Sequence, residues 1–278
     1  MSVWWQSLDA ARVLPVLWGL SQRLTALAVL LQAAEWLQVR ASFADAGTWR
    51  YALLAPEHRV LPKPLRWLCA ASLPYRPFVG LLVLRLLAAG WWLLGGSVLL
   101  APLLFVGQLL VCIRFRGTSN GGSDAMTLVL LLAHSVAALG GTELACRVAL
   151  LYIAVQVTLS YLIAGLVKLR QADWRQGRAL CHFVSASAYP APRWLTRLLA
   201  RPALAAPLAC GVIAFESLAP LAWLDPRVCA VFLAAGACFH ALNAYVFGLN
   251  RFFWAWLAGY PALAYGCLYL AETSSRGT

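Results

Sequence analysis

A lysine at the end of a long apolar run carries the clearest chemical signal in this sequence. The run ends with Tyr161-Leu-Ile-Ala-Gly-Leu-Val-Lys168. Residues three, four and seven apart lie above one another on a helix, so Lys168 shares a face with Gly165 and Tyr161. An ammonium at the edge of a membrane core is costly to keep charged, and a neutral amine there can act as a base. The alternative is a lysine that extends from the helix end towards lipid head groups.

Two further ionisable residues lie inside apolar runs. Arg85 is found in Leu-Val-Leu-Arg-Leu-Leu, and Glu216 in Val-Ile-Ala-Phe-Glu-Ser-Leu. Near the centre of a bilayer each would cost roughly 2.5–3.5 kcal/mol, so both should face the protein interior. The simplest hypothesis pairs Arg85 with Glu216. That pair would be a structural ion pair or part of a substrate pocket.

A polar segment, Asn120-Gly-Gly-Ser-Asp124, opens another apolar run. Asp124 and His134 follow one helical face through Thr127. One interpretation is helix capping by Ser123 or Asp124, with the glycines forming a turn. The other is the polar rim of a substrate pocket, with Asn120 and Asp124 at its edge and His134 deeper in the span. Both remain open.

A second histidine lies in Phe239-His240-Ala-Leu-Asn243. His240, Asn243 and Phe247 are three and seven residues apart, so they share a helical face. They predict either a catalytic His–Asn pair or a core histidine that is hydrogen-bonded to the neighbouring asparagine.

The elements that must position these residues are membrane helices. Hydrophobic residues make up 62% of the 278 residues and charged residues only 12%, whereas a soluble domain is about half apolar and a quarter charged. At about 20 residues per span, we predict an all-α, polytopic transmembrane helical bundle of about eight spans, with six to eight allowed. Residues 1–278 should form a single membrane domain without a separate soluble domain. The predicted spans are 13–37, 78–95, 97–113, 125–141, 145–167, 203–223, 228–249 and 252–271.

Charge placement predicts partners and topology. The net charge is +12, but the basic residues punctuate apolar runs and line no single face, which argues against nucleic acid and for a lipid bilayer as partner. Connections after the odd-numbered spans carry 16 Lys and Arg, and the opposite side carries 4. This places both termini outside. Arginines four apart in Arg193-Trp-Leu-Thr-Arg197-Leu-Leu-Ala-Arg201 predict a short interfacial helix.

Two smaller expectations complete this picture. The eight cysteines form no CxxC pair, so we predict no metal site. Met1–Leu20 carries tryptophans and an aspartate instead of a basic start with a small-residue cleavage site, and we interpret it as mature protein.

Taken together, the motifs resemble the HTTM (horizontally transferred transmembrane) domain family and the membrane region of the vitamin K-dependent gamma-glutamyl carboxylases. They occur in the family's order, about seventy residues apart, and the resemblance covers roughly residues 15–270. The residues that carry it are Tyr161–Lys168, Ala172-Asp173-Trp174, Gly177, Phe239-His240, Asn243, Phe247 and Phe252.

The resemblance implies a chemistry. The carboxylase lysine that matches Lys168 is a base that takes a proton from vitamin K hydroquinone, so a reduced quinone becomes a candidate cofactor. This sequence departs from the carboxylases in two respects. It has Asn120-Gly-Gly in place of their Asn-Asn-His, and it ends at Thr278 without their large luminal domain. Its size is closer to that of short bacterial members that help to mature or export secreted peptides, which implies the bacterial inner membrane.

Three functions therefore compete. The first is a membrane enzyme that uses Lys168 as a base on a quinone-like or peptidyl substrate, with His240 and Asn243 catalytic and the remaining residues shaping a pocket. The second is a non-catalytic partner for the maturation or export of a secreted peptide or membrane protein. The third is a transporter, which ranks last because no internal repeat is found. The predicted pocket residues are Tyr161, Trp174, Glu216, Arg85, Asn120, Asp124 and His134.

Overall fold

The computed structural model describes residues 10–117, 121–187 and 189–276. Within these ranges the regular structure is helical, which confirms the predicted all-α class. Four short 3-10 helices accompany the α-helices. The α-helices, numbered along the chain, are α1 (Ala10–Gln38), α2 (Lys63–Ser72), α3 (Tyr75–Leu93), α4 (Leu100–Arg114), α5 (Gly121–Gly140), α6 (Glu143–Arg170), α7 (Ala172–Arg175), α8 (Arg178–Ser185), α9 (Arg193–Leu199), α10 (Pro202–Ser217), α11 (Pro226–Phe247) and α12 (Asn250–Arg276).

Each predicted span coincides with a helix, but fewer helices are suited to crossing a bilayer. Among the described residues, α1, α3, α5, α6 and α11 are long and apolar enough. Helices α9 and α10 form a sixth candidate, bent by 99° at the break between them. Helix α4 has only 15 residues, and α12 has 27 but is less apolar. Five or six spans are thus found in the described residues, at or just below the lower limit of the predicted range.

The helices form two compact units. One comprises Leu20–Ala149, and the other comprises Met1–Gly19 with Leu150–Thr278. We refer to them as the N-terminal and C-terminal units. The prediction of one continuous membrane domain over residues 1–278 stays a prediction, as does the mature character of Met1–Leu20, of which residues 1–9 lie outside the described ranges.

The N-terminal unit packs α1, α3, α4 and α5 around small and branched side chains. Ala26, Ala89, Leu104 and Leu131 are fully buried in one cluster. A second cluster at the end of α1 is aromatic, and Phe43 and Phe78 meet there edge to face, with ring centroids 5.3 Å apart. Such offset contacts add to the stabilisation from apolar burial.

The C-terminal unit is built around α6 from Leu150 onward and the pair of α11 and α12. Thr142 caps the start of α6, where its hydroxyl oxygen accepts from the Ala145 amide at 3.1 Å. The 28 residues of α6 extend for about 42 Å, longer than the hydrocarbon core of a bilayer. Asp225 caps α11, accepting from the Arg227 amide at 2.7 Å, and Gly248 ends that helix with φ of 67°.

Short helices follow the end of α6. Helices α7, α8 and α9 together carry four of the six arginines between Lys168 and α10, whereas Arg170 ends α6 and Arg201 precedes α10. The predicted interfacial segment beginning at Arg193 is helical, as α9, and α10 leaves it at a sharp bend. That α9 lies on a bilayer surface stays a prediction.

Candidate functional site

Lys168 forms an ion pair with Glu216 inside the C-terminal unit. The Lys168 Nζ atom lies 2.8 Å from Oε1 and 2.6 Å from Oε2 of Glu216. The Glu216 side chain is 5% exposed and the Lys168 side chain 20% exposed, so the pair is largely shielded from solvent. The ring centroid of Trp174 lies 5.2 Å from Nζ, within cation–π range. The end of α6 is therefore held by a buried pair, and Lys168 does not extend freely towards lipid head groups.

A glycine on α6 allows this pair to form. A Cβ atom at Gly165 would lie 2.5 Å from both the backbone nitrogen and the hydroxyl oxygen of Ser217. The C-terminal end of α10 therefore approaches α6 more closely than any other residue at position 165 would allow. Because Gly165 lies three residues before Lys168, this close approach brings Glu216 opposite the amine.

Further along the same face of α6, three buried side chains form a hydrogen-bonded chain. The Tyr161 hydroxyl oxygen lies 2.5 Å from His240 Nε2 on α11 and 2.7 Å from the Tyr260 hydroxyl on α12. Tyr161 and His240 are each 2% exposed, and Tyr260 is 6% exposed. Gly236 on α11 makes room for both tyrosine hydroxyls, since a Cβ there would overlap that of Tyr260.

The direction of this chain assigns the tautomer of His240. The Tyr260 hydroxyl has no other partner among the described residues, so both hydroxyl protons are used only if Tyr260 donates to Tyr161 and Tyr161 donates to Nε2. Nε2 of the neutral ring is then the acceptor, and Nδ1 carries the hydrogen. Nδ1 is buried and has no partner in the described part of the chain. We therefore assign His240 as a buried donor without an acceptor.

The ion pair of Lys168 and Glu216 lines one cavity of about 680 Å³ together with Tyr161 and His240. Its walls are mainly aromatic and aliphatic, and Lys168 and Glu216 are the charged groups among its described lining residues. The imidazole of His240 stacks on Trp256, with ring centroids 5.0 Å apart. A size of several hundred Å³ and apolar walls with a few polar groups are typical of small-molecule sites. The aromatic lining residues are Tyr161, Trp174, Phe183, Phe239, Phe247, Phe252 and Trp256.

The cavity brings together six of the ten predicted catalytic and pocket residues. All three predicted catalytic residues are among them, and the complete set is Tyr161, Lys168, Trp174, Glu216, His240 and Asn243. One alternative interpretation is wrong, because His240 bonds to Tyr161 and not to Asn243. Asn243 is half-buried, and its amide has no hydrogen-bond partner among the described residues. The amide is therefore available to a ligand.

The other predicted pocket residues belong to the N-terminal unit. The expected Arg85–Glu216 pair is wrong, since Glu216 pairs with Lys168. Arg85 instead donates to the Oε1 atoms of Gln32 and Gln108, each at 2.6 Å, and to the Leu104 carbonyl at 3.0 Å. Arg85 is therefore satisfied by the neutral side-chain amides of Gln32 and Gln108, whereas the sequence-based hypothesis considered only a charged partner.

Asp124 and His134 likewise find partners in that unit. Asp124 accepts from Gln32 Nε2 at 2.8 Å. His134 Nε2 lies 3.3 Å from the Ser21 hydroxyl and 3.4 Å from that of Thr25. Neither residue is among those that line the cavity. Asn120, also predicted for the pocket, lies outside the described residues.

Sequence reasoning named Phe252 on α12 but missed the rest of the contribution of that helix. Phe252, Trp256 and Tyr260 follow at intervals of four on one face of that helix, so the spacing could have identified an aromatic wall. Their pairing with α11 is not encoded locally. As for metals, no group of three or more His, Cys, Asp or Glu side chains is placed to hold an ion in the described ranges.

Comparison with known proteins supports the family assignment. The HTTM domain family matches residues 142–265, a region that contains the ion pair, the hydroxyl chain and Asn243. No curated protein and no solved structure matches the chain. The family match agrees with the resemblance to the carboxylase membrane region, and together with the apolar helices it makes the chain an integral membrane protein. Residues 142–265 therefore belong to the HTTM domain family.

Proposed function

We propose that the protein is a membrane-embedded enzyme in which Lys168, paired with Glu216, acts as a base on a quinone-like or peptidyl substrate. The observation that carries this proposal is the position of the ion pair in the wall of an otherwise apolar, aromatic cavity. A purely structural ion pair needs no such space beside it. Here, a proton donor within the cavity can reach the charged groups of the wall.

The ion pair provides two groups for proton transfer, a carboxylate that can deprotonate Lys168 and an amine that can deprotonate a substrate. Each Glu216 oxygen is within hydrogen-bond distance of Nζ, so the carboxylate can take a proton from the ammonium without movement of either helix. The amine that remains is neutral and can accept a proton at Nζ from a substrate. Low exposure of both side chains limits competition from water.

Besides a base, the proposed reaction needs a hydrogen-bond donor for a substrate oxygen, and His240 and Asn243 can provide it. His240 offers Nδ1–H, and the Asn243 amide can either donate or accept. A substrate that carries both an acidic proton and an oxygen acceptor would satisfy the two parts of the site. Hydroquinones and peptidyl groups both have these features.

The residues fit a reduced quinone. The unpaired, buried Nδ1 of His240 suits an oxygen substituent, and the aromatic walls suit a flat ring. Trp256 and Phe252 would hold the ring, and Lys168 would lie near a phenolic hydroxyl. When bound, such a group would supply two electrons and an acidic hydroxyl. We propose this base chemistry without glutamate carboxylation, because the sequence lacks the histidine that the carboxylases have near position 120.

The resemblance to short bacterial members adds a location and an alternative. We propose the bacterial inner membrane, and a secreted peptide as the substrate or as its carrier. A non-catalytic role in the maturation of such a peptide is the second candidate, and the unpartnered polar groups of the cavity favour catalysis over it.

Mass spectrometry of candidate substrates distinguishes these functions. Peptides and hydroquinones would be incubated with the wild-type protein, Lys168→Ala and the control Arg170→Ala, which changes an exposed residue of the same helical turn. The enzyme function predicts a mass change with the wild type and the control that is absent with Lys168→Ala. If Lys168→Ala processes every substrate as the wild type does, or if a specific protein copurifies and no substrate is converted, the enzyme proposal fails.

A further inference from the structure

A second cavity, in the N-terminal unit, surrounds an arginine whose charge is not neutralised. Arg114, at the last position of α4, is 2% exposed. Its guanidinium lies 5.6 and 5.4 Å from the ring centroids of Phe43 and Phe78, and Nη2 donates to the Trp49 carbonyl. No carboxylate pairs with it in the described ranges, and its Nε has no partner there. A buried cation without a counter-charge is unfavourable, so an anion at this position would stabilise it.

The cavity beside Arg114 has a volume of about 550 Å³ and is basic. Three arginines line it, and none of its described lining residues is acidic. Arg116 pairs with Glu57, with Nε 2.9 Å from Oε2, whereas the exposed Arg50 side chain has no partner among the described residues. The whole Arg50 guanidinium is therefore available to an external anion, and Arg114 keeps N–H groups besides the one that binds the Trp49 carbonyl. The lining residues are Thr48, Trp49, Arg50, Leu53, Leu54, Arg114, Phe115 and Arg116.

The end of α4 does not need these arginines. Backbone amides of Phe115, Arg116 and Gly117 donate to the carbonyls of Val111, Ile113 and Cys112 at 2.8–3.2 Å. The carbonyl groups of Val111, Cys112 and Ile113 in the last turn are thus satisfied by the backbone itself. The free guanidinium hydrogens consequently remain for a ligand.

From this geometry we propose that the Arg50–Arg114–Arg116 cavity binds a phosphate group. Planar guanidinium groups bind phosphate oxygens in pairs and with charge assistance, which lysine does less well. Arg114 is the last residue of α4, and Trp36, near the end of α1, contacts Trp49 and Phe115 of the cavity wall. Because α1 is a candidate span, we expect the cavity at the depth of lipid head groups. The phosphate would come from an anionic phospholipid or from a soluble phosphate compound.

Thermal unfolding in a neutral detergent, followed by tryptophan fluorescence, tests the proposal. The probes are short-chain phosphatidylglycerol, short-chain phosphatidylcholine and inorganic phosphate. Arg50→Gln is the main variant because Arg50 is exposed and its loss should not impair folding, whereas Arg114→Gln is expected to destabilise the fold. The matched control is Arg59→Gln, an exposed arginine of the same connection that does not line the cavity.

We expect phosphatidylglycerol to raise the unfolding temperature at lower concentrations than phosphatidylcholine, and Arg50→Gln to weaken its apparent affinity about tenfold. Arg59→Gln should respond as the wild type does. Stabilisation by phosphatidylglycerol alone would identify a lipid ligand, and equal stabilisation by inorganic phosphate would identify a soluble one. If neither probe acts more strongly than phosphatidylcholine, or if Arg59→Gln loses as much affinity as Arg50→Gln, the proposal is refuted.

Discussion

Replacing Glu216 by glutamine tests whether the ion pair with Lys168 is energetically coupled. The substitution keeps the size of the side chain and removes its charge. Two charge-assisted hydrogen bonds of 2.8 and 2.6 Å are then weakened, and the ammonium is left without a counter-charge. Breaking a buried pair in this way costs about 3–5 kcal/mol.

The exposure of the two side chains refines this value. At 20% exposure, the Lys168 side chain can turn partly towards solvent, so we expect a loss near the lower limit, about 3 kcal/mol in the free energy of unfolding. Lys168→Met leaves the buried carboxylate unpaired and should cost about as much. The double variant Lys168→Met/Glu216→Gln should lose no more than either single variant, since no unpaired charge remains.

Denaturant titration in mixed micelles, followed by the fluorescence of the 13 tryptophans, measures these changes. Glu143→Gln is the matched control. It breaks the exposed pair with Arg147 and should cost less than about 1 kcal/mol. Losses that add up in the double variant, or a Glu216→Gln variant as stable as Glu143→Gln, would show that the two side chains are not coupled.

Two further substitutions test how the site is built. Tyr260→Phe removes the hydroxyl that donates to Tyr161, and we expect about 1 kcal/mol of lost stability, a mixture of His240 tautomers in imidazole ¹⁵N spectra and lower turnover. The exposed Tyr245→Phe is the control. An unchanged His240 spectrum would refute the tautomer assignment. Gly165→Ala places a Cβ 2.5 Å from the Ser217 backbone and should cost about 1–3 kcal/mol of unfolding free energy. Gly211→Ala on α10, where no atom lies within 4 Å of the added Cβ, should be stabilising. Equal unfolding free energies for the two variants would contradict the proposed close approach.

Much of the helical framework could be predicted from the sequence, because apolar length and turn-forming residues act locally. The long run before Lys168 gives α6, and Asp225-Pro226 marks the start of α11. The number of spans was less certain. Helices α9 and α10 pass as one span only if they are counted together across a 99° bend, and hydropathy alone does not resolve such a bend.

The candidate site was partly predictable for the same reason. Helical periodicity placed Tyr161 and Lys168 on one face, and both line the cavity. Periodicity gives the face of a residue but not the helix opposite. The partner of Glu216 depends on how closely α10 approaches α6, which Gly165 determines. Helical periodicity does not contain this distance, and the predicted pair of Glu216 with Arg85 is therefore wrong. The hydroxyl of Tyr260 was missed because its role depends on contacts with two other helices.

The central claim is that Lys168 gives and takes a proton, and Lys168→Arg tests it most directly. Arginine keeps a cation opposite Glu216 but does not deprotonate in proteins. Turnover of the substrate identified by mass spectrometry would be compared with its binding, measured on the same detergent-purified protein. We predict a folded Lys168→Arg protein that binds the substrate and converts none of it. Turnover at the wild-type rate would contradict the account, because a permanent cation would then be sufficient.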